Sequence, residues 1–438
     1  MERKEMETGI RKVKAHWILN SLGIPTVECI VWVGSKICVR ASSPQGVAVG
    51  DFEALEVRDF NKHEFIGRGV STAVENVNQK IAPLLVGKDC RLQKEIDQIM
   101  IDLDQTKLKK NIGVNAILPV SMCVMKAASL VENIPLYNYI STLAFGRRRK
   151  DYLLPIPFVT MMKGSNFGDT IHDILIMPIG ANNFAQATQM VAETYQTLRS
   201  ELEKVFGPSV RNVCDEGEFA PTIDSTSIFL DFIESAIAEA DYEPRRDIVV
   251  GIDAGASEFY DSRKNLYFID GKQLNPDELQ TYWKDLVLDY EIAALIDPFM
   301  DQDFDSHRRL TSKLNGECQV VGADLFVSNK ELITYATGKK VTSAISLKIN
   351  QIGTMTEILD ICKEIYQKNL SVLLSGRWGE TCDTTLADLA VGLGCGQVKP
   401  GAPCRTEHTA KYNRILRIEE ELKSDAKYPR SLGDRHIF

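Results

Sequence analysis

The feature that most constrains the fold is a regular alternation, beginning at Leu153, of short apolar segments and amphipathic helical segments. The helical patterns are roughly 12 to 20 residues long and separate most of the apolar segments. The eight apolar segments are LPIPFVTM, DILIMPIG, DIVVGIDA, AALIDP, CQVVGAD, SAISLKI, LSVLLSG and GQVKPG. Eight strands connected mostly through helices predict a closed α/β barrel.

Polar residues follow the predicted strands of this barrel. In barrels of this type the functional side chains lie at the carboxyl ends of the strands. The residues found there are Asp253, Asp297, Asp324, Lys348, Arg377 and Lys399. Three aspartates on successive strand ends would by themselves indicate a magnesium site, because hard cations prefer carboxylate oxygens.

The part of the chain before the barrel has a different pattern. The β-rich segments KAHWILN, TVECIVWV and KICVRAS are joined by the turn sequences SLGIP and VGSK, which predicts an antiparallel meander. Helical patterns follow at 69–85, at 91–103 and from about 112 to 131, where Pro119 should kink or interrupt the helix. We therefore predict an N-terminal α+β domain over 1–144, a linker over 145–152 and a barrel domain over 153–438.

Composition excludes several functional classes. The chain has 438 residues, 44% of them apolar, with a net charge of −9. This charge argues against nucleic acid or a membrane surface as the main partner. No uninterrupted 18-residue apolar segment is present, so no membrane span is expected. The ten dispersed cysteines and the charged N-terminus favour a cytoplasmic location.

Several longer runs resemble the enolase (phosphopyruvate hydratase) family from about residue 10 to 422. They are FEALEVRD, NVNQKIAP, GVNAIL, IPLYNYI, LPIPF, CDEGEFAP, GIDAGASEFY, ALIDPF, ADLFVSN, LKINQIGT, SGRWGET, GQVKPGAP and ILRIEEEL. The resemblance implies an α/β fold, namely an enolase-type modified (β/α)8 barrel with a smaller N-terminal α+β domain, and a homodimer. It also implies a lyase of glycolysis that dehydrates 2-phosphoglycerate to phosphoenolpyruvate with magnesium.

Five residues of the family's site are retained by this resemblance. Lys348 matches the general base, and Glu216 matches the glutamate that assists departure of hydroxide. Lys399 matches the lysine that steadies the substrate carboxylate, Arg377 matches a substrate-binding arginine, and Asp253 matches one of three magnesium carboxylates.

The other two magnesium carboxylates correspond to Ile296 and Ala323. Asp297 and Asp324 each lie one residue further along. Because side chains alternate between the two faces of a strand, this offset is expected to turn both carboxylates away from the ligand positions. The resemblance therefore predicts an incomplete metal site.

The remaining family positions are also changed. By this resemblance, Leu175 replaces the second catalytic glutamate, Trp378 replaces the phosphate-binding serine, and Ala48 replaces the serine of the loop that clamps the second magnesium. Two family histidines correspond to Asn166 and Gly376. We interpret Trp378 as pocket filling rather than as an aromatic floor for a ligand, and His172 as a histidine on a loop surface.

The charge of the predicted site is reversed relative to the family. Glu216 and Asp253 face Lys348, Arg377 and Lys399, which leaves about +1. Such a site should repel magnesium and could attract a small phosphorylated or carboxylate anion. Alternatively, the retained charges persist as an inherited ion-pair network, because removing one partner of a buried pair is costly.

These observations predict a catalytically impaired or inactive enolase-like pseudoenzyme with a binding or assembly role, acting as a homodimer and with a protein partner not identified by sequence. Removing a proton beside an ionised carboxylate requires metal stabilisation in this superfamily. The first alternative is residual magnesium-dependent phosphopyruvate hydratase activity. The second is a metal-free anion-binding sensor or altered lyase that uses Lys348 and Arg377. No cofactor is expected, except Mg²⁺ if activity remains.

Overall fold

The N-terminal part of the protein is built on the predicted antiparallel meander. A computed structural model describes residues 7–46, 50, 52–164 and 170–435. Strands β1 (Ile10–Leu19), β2 (Pro25–Val33) and β3 (Ile37–Ser42) pair in chain order. The turn between β2 and β3 contains Gly34 at φ +53°, where an added Cβ would lie 2.5 Å from the carbonyl oxygen of Glu7. Only glycine fits this turn without strain.

Helices cover one face of the meander. The N-terminal helices are α1 over 71–85, which includes a π-helical turn at Asn76–Ile81, α2 (Gln93–Asp104), α3 (Val114–Val131) and α4 (Leu136–Phe145). Helix α3 packs against β2 and β3, and Pro119 lies inside it without ending it. The predicted linker, residues 145–152, thus runs from the last residue of α4 to the first residue of the short strand Tyr152–Leu153.

Helix α3 is the one helix in the described part of the chain that could cross a membrane by length and apolarity, with 83% of its residues buried inside the protein. Lys126 interrupts its sequence, which is why no uninterrupted apolar segment was found. The Lys126 ammonium donates to Asp383 at 2.7 Å. Helix α3 is therefore a core helix of this fold.

The second part of the chain forms the predicted barrel. Its nine strands are β4 (Ile156–Pro157), β5 (Val159–Lys163), β6 (Asp173–Met177), β7 (Val249–Asp253), β8 (Ala294–Ile296), β9 (Gln319–Gly322), β10 (Ala344–Leu347), β11 (Ser371–Ser375) and β12 (Gln397–Lys399). Their order in the sheet is β4-β12-β11-β10-β9-β8-β7-β6-β5. The structure has nine strands where eight were predicted, because the first predicted segment divides at Phe158 into β4 and β5. These two strands are consecutive in the chain but lie at opposite ends of the strand order, so they bring the ends of the sheet together.

One strand of the barrel runs opposite to its neighbours. Strand β6 pairs antiparallel with both β5 and β7, whereas the pairs from β7 round to β12 and β4 are parallel. The first residue of β6, Asp173, therefore pairs with the last residue of β7, Asp253. This reversal brings the amino end of β6 to the edge where the parallel strands have their carboxyl ends.

The barrel is surrounded by helices with clear sequence signals at their ends. They are α5 (Phe184–Phe206), α6 (Thr226–Glu239), α7 (Pro276–Tyr290), α8 (Phe304–Leu314), α9 (Lys330–Thr337), α10 (Met355–Gln367), α11 (Thr385–Leu393) and α12 (Thr406–Leu422). Helix α10 begins with a capping box in which Thr354 and Glu357 satisfy each other's backbone amides. This cap ends the turn that starts at Lys348.

The N-terminal part docks on the carboxyl edge of the barrel. The Ser21 hydroxyl donates to the carbonyl oxygen of Trp378 at 2.9 Å, and the Gln45 amide donates to that of Gly379 at 2.8 Å. The turn after β1 and the loop after β3 thus each form a hydrogen bond to the barrel loop that follows β11. The confirmed architecture is a barrel with a smaller α+β layer beside its functional edge.

Candidate functional site

A cavity of about 250 Å³ opens at the carboxyl edge of the barrel. Among its lining residues are nine predicted site residues: Glu216, Asp253, Ile296, Ala323, Lys348, Gly376, Arg377, Trp378 and Lys399. Ala48 and Asn166 lie outside the described residues. Gly50 and Glu53, which follow Ala48 in the chain, also line the cavity, so the N-terminal part contributes to its wall.

Lys399 is the centre of a buried charge cluster. Its ammonium nitrogen lies 2.8 Å from Asp253 Oδ2, 3.4 Å from Asp173 Oδ2 and 3.7 Å from Glu216 Oε2. Burial alone would lower the pKa of Lys399, but the three carboxylates outweigh burial and raise it well above its usual range. Lys399 therefore stays charged and neutralises acidic groups of the protein itself.

Glu216 is positioned by a tight turn between Cys214 and Phe219. The turn places Gly217 at φ +88°, and the Cys214 amide donates to the carbonyl oxygen of Glu218. The Glu216 carboxylate accepts a hydrogen bond from Thr160 Oγ1 on β5 at 2.9 Å. Glu216, which the resemblance predicts to assist departure of hydroxide, is thus an ordered carboxylate beside Lys399.

The predicted base Lys348 pairs with Asp324. The two charged groups are 2.7 Å apart, and Lys348 lowers the pKa of Asp324 to about 2. The prediction that strand alternation turns Asp324 away from the site is wrong. Strand β9 ends at Gly322, so Asp324 lies in the following turn, where the two-residue alternation no longer applies.

Asp297 is closer to the prediction that its carboxylate is turned away from the ligand positions, although the residue lines part of the cavity. Its carboxylate accepts hydrogen bonds from the backbone amides of Ala323 and Asp324 at 2.8 and 2.6 Å. Burial, followed by the neighbouring Asp324, raises the pKa of Asp297 well above its usual range. Asp297 therefore secures the turn after β9 and is not presented as a metal ligand.

The two replaced magnesium positions are apolar and buried. Ile296 ends β8 in register with Asp253 on β7, and Ala323 follows β9 directly. Their exposed fractions are 2% and 6%. The geometry that aligned three strand ends is intact, but one of the three carries a carboxylate, and that carboxylate is bonded to Lys399.

The structure corrects the assignment of Leu175. Leu175 is fully buried in β6, pairs with Thr160 and Gly251, and does not line the cavity. Asp173, two residues earlier on the same strand, is the β6 carboxylate that reaches the charge cluster. Because β6 is antiparallel, its first residues lie at the functional edge and Leu175 lies away from it.

His172 is also different from its prediction as a loop-surface histidine. Its side chain is 11% exposed, its ring stacks on Trp378 with centroids 5.5 Å apart, and Nδ1 lies 2.9 Å from Asp173 Oδ2. Burial would lower the pKa of His172, but Asp173 raises it to about 9. The Lys163 ammonium lies 4.8 Å from the Trp378 ring centroid. Trp378 therefore packs against two cationic side chains at the cavity wall.

Arg377 is placed by a close contact with the N-terminal part. A Cβ atom on Gly46 would lie 1.6 Å from an Arg377 guanidinium nitrogen, so the guanidinium packs directly on the Gly46 backbone. The Arg377 amide donates to Glu380 Oε1, whose other oxygen accepts from Lys411. Gly376 lines the cavity beside it and supplies no side chain where the family has a histidine.

The predicted positive charge of the site is not observed. Seven carboxylate side chains line the cavity against four basic ones: Glu53, Glu216, Asp253, Glu258, Asp297, Asp301 and Asp324 against His172, Lys348, Arg377 and Lys399. The count of about +1 included only the positions matched to the family's site, so it omitted Glu53, Glu258, Asp297, Asp301 and Asp324. The cavity therefore carries side chains of both charges, and this lining does not imply a general attraction for anions.

The structure brings three possible metal-ligand side chains together. Donor atoms of His172, Asp173 and Asp253 lie within 4.8 Å of one another. However, Lys399 already contacts both carboxylates, and His172 carries a proton at neutral pH because its pKa is about 9. Magnesium also prefers oxygen ligands to imidazole nitrogen. The residues present do not fit a magnesium ion held by three strand-end carboxylates.

Comparison with known proteins agrees with the fold. Residues 10–140 match the family described as "Enolase, N-terminal domain", and residues 151–434 match "Enolase, C-terminal TIM barrel domain". The chain is 41% identical over 423 residues to an enolase of Thermococcus gammatolerans, covering 96% of each chain. It is 42% identical over 435 residues to an enolase of Solanum lycopersicum, covering 96% of this chain and 97% of the relative. The chain therefore belongs to the enolase family.

Proposed function

We propose that this member of the enolase family does not dehydrate 2-phosphoglycerate at a useful rate and that it acts through binding or assembly. One observation carries the proposal. Two of three aligned strand ends present Ile296 and Ala323, and the third presents Asp253 at 2.8 Å from Lys399. Among the described strand ends, one of the three carboxylates that the resemblance assigns to the family's magnesium site is therefore present.

The chemistry explains the size of the expected effect. Abstraction of a proton next to a carboxylate produces a doubly charged enediolate, which this superfamily stabilises with magnesium. A metal acting as a Lewis acid supplies several kcal/mol at the transition state. Each ~1.4 kcal/mol lost lowers the rate about tenfold. Lys348 and Arg377 remain in the cavity, but two single charges do not replace the metal ions at the substrate carboxylate.

The test is a coupled assay of phosphoenolpyruvate formation with excess Mg²⁺. We expect a rate more than about a hundredfold below that of a conventional enolase, which corresponds to about 2.7 kcal/mol. Lys348→Ala, purified in parallel, is the matched control, because any turnover unaffected by it comes from host enolase. Turnover that approaches the conventional rate and disappears in Lys348→Ala would refute the proposal.

Residual magnesium-dependent activity is the second candidate. It is favoured by the fact that Lys348, Glu216 and Arg377 all line one cavity. The same assay distinguishes the two candidates, since a weak rate that depends on both Mg²⁺ and Lys348 would support this one.

We further propose that the protein is a cytoplasmic homodimer. An exposed apolar group on the N-terminal part supports a second copy of the chain as its partner. Trp17 packs on Phe65 with ring centroids 5.2 Å apart, and Ile66 beside them is 89% exposed. Light scattering should give about twice the 49 kDa chain mass. Ile66→Lys should lower this mass without lowering the melting temperature, and a well-folded wild-type monomer would contradict the proposal.

A further inference from the structure

The most unusual feature of the cavity is that its carboxylates surround a side chain rather than open space. Asp253, Asp173 and Glu216 direct oxygens at one ammonium group, at 2.8, 3.4 and 3.7 Å. His172 completes the group through its 2.9 Å contact with Asp173. We infer that the Lys399 ammonium occupies a cation position created by the three carboxylates, so that the chain carries its own cation in place of a metal ion.

The electrostatics of the cluster support a built-in cation. Asp173 is 1% exposed and Glu216 is 8% exposed, so both carboxylates are largely removed from water. Several buried carboxylates without a compensating cation are strongly destabilising. A tethered ammonium is always present at high local concentration, whereas a divalent ion must lose hydration water to enter. In the native protein, Lys399 should therefore outcompete a divalent ion.

The ligand types around Lys399 indicate which ion would replace it. Three carboxylates, with an imidazole beside them that releases its proton when it binds a metal, suit manganese or zinc better than magnesium, because these metals accept nitrogen as well as oxygen ligands. Asp173 Oδ1 is buried and accepts no hydrogen bond from the described residues, so one ligand atom is already available. Removing the lysine charge should convert the cluster into a site for one divalent ion.

This inference extends the proposed function, since it gives a structural reason why a divalent ion is not recruited. The test compares wild type with Lys399→Met and Lys399→Gln, with Mn²⁺ as the probe. Electron paramagnetic resonance counts bound Mn²⁺, and calorimetric melting measures stabilisation. We expect no stoichiometric Mn²⁺ in wild type. In the variants we expect a lower melting temperature, one Mn²⁺ per chain with at least tenfold tighter binding, and recovery of melting temperature on Mn²⁺ addition.

Two controls separate this outcome from a general loss of packing. Lys411→Met removes another buried lysine, but one that faces a single carboxylate, Glu380, and two backbone carbonyl oxygens. Its destabilisation should not be reversed by Mn²⁺. Adding His172→Asn to Lys399→Met should weaken Mn²⁺ binding, because it removes the nitrogen ligand. If Lys399→Met is insoluble, recovery of soluble protein by Mn²⁺ in the growth medium and lysis buffer supports the inference.

The inference is overturned by stoichiometric Mn²⁺ binding to wild type, or by soluble Lys399 variants that bind no more Mn²⁺ than wild type. It is also overturned if Mn²⁺ fails to rescue insoluble variants. These failures are distinct from failure of the proposed function, which is decided by phosphoenolpyruvate formation in the wild-type protein without any change at Lys399.

Discussion

Reintroducing the lost carboxylates at the strand ends tests the link between the metal site and stability. Ile296→Glu replaces a side chain that is 2% exposed with a carboxylate in register with Asp253. Loss of the buried isoleucine should cost about 2–3 kcal/mol. A buried charge without a partner costs about 3–5 kcal/mol, part of which is avoided when the new carboxyl group takes up a proton. We expect the free energy of unfolding to fall by about 4 kcal/mol.

Ile296→Glu combined with Ala323→Asp should behave differently once magnesium is present. With Asp253, these changes give three carboxylates on three adjacent strands, and the added charge of −2 should outweigh Lys399. A ligand that binds only the native state adds about 2.7 kcal/mol at a hundredfold excess over its Kd. Magnesium should therefore return about 2.7 kcal/mol to the free energy of unfolding of the double variant and little to that of Ile296→Glu alone.

Calorimetric melting with Mg²⁺ or chelator measures these differences. Ile296→Gln is the matched control, because it removes the same apolar volume without adding charge and should show no response to magnesium. Catalysis should remain absent in the double variant, because Gly376 and Trp378 still lack the family's polar groups and residues that act as a unit are not additive. Enolase turnover in the conventional range from the double variant alone would refute this reasoning.

Three further outcomes follow from the buried charges. Melting curves of the wild-type protein with and without millimolar Mg²⁺ should coincide, and an upward shift reversed by chelator would contradict this. Burial lowers the pKa of His307 to about 4, so the unfolded chain takes up a proton below about pH 6.5 while the folded protein does not. Stability should fall between pH 6.5 and 4, by about 2 kcal/mol at pH 5, and His307→Leu should flatten that part of a melting-temperature profile. Burial, then Asp173 and Glu216, raise the pKa of Glu218 to about 8, so stability should fall as pH rises from about 4.5 to 8. Glu218→Gln should add up to about 4 kcal/mol at pH 7.5 and little at pH 4.5; equal effects at both pH values would show that Glu218 is ionised in the folded protein.

Much of the fold and part of the site could be predicted from local sequence. The two-residue and helical periodicities, together with the turn and capping residues, depend on neighbours in the chain, so the meander, the barrel strands and their helices were recognisable. Strand-end positions likewise placed Asp253, Lys348 and Lys399 at one edge, because parallel strands share the direction of their carboxyl ends.

Sequence could not reveal which charges neutralise one another. Lys399 contacts carboxylates that are 146, 183 and 226 residues away along the chain. Glu53, Glu258 and Asp301 line the cavity although they match no predicted site position, which is why the predicted excess of positive charge was wrong. Such pairings depend on the packing of loops around the barrel edge and have no local signal.

The amino-acid sequence by itself determined the enolase architecture, the apolar residues at Ile296 and Ala323, and the retention of Lys348 and Lys399. The tertiary structure alone decided that β6 runs antiparallel, which moves Asp173 to the functional edge and leaves Leu175 in the core. It also decided that Lys399 lies among carboxylates. The physical reason is that strand direction and charge pairing are set by contacts between distant segments, whereas periodicity and residue type are local properties of the chain.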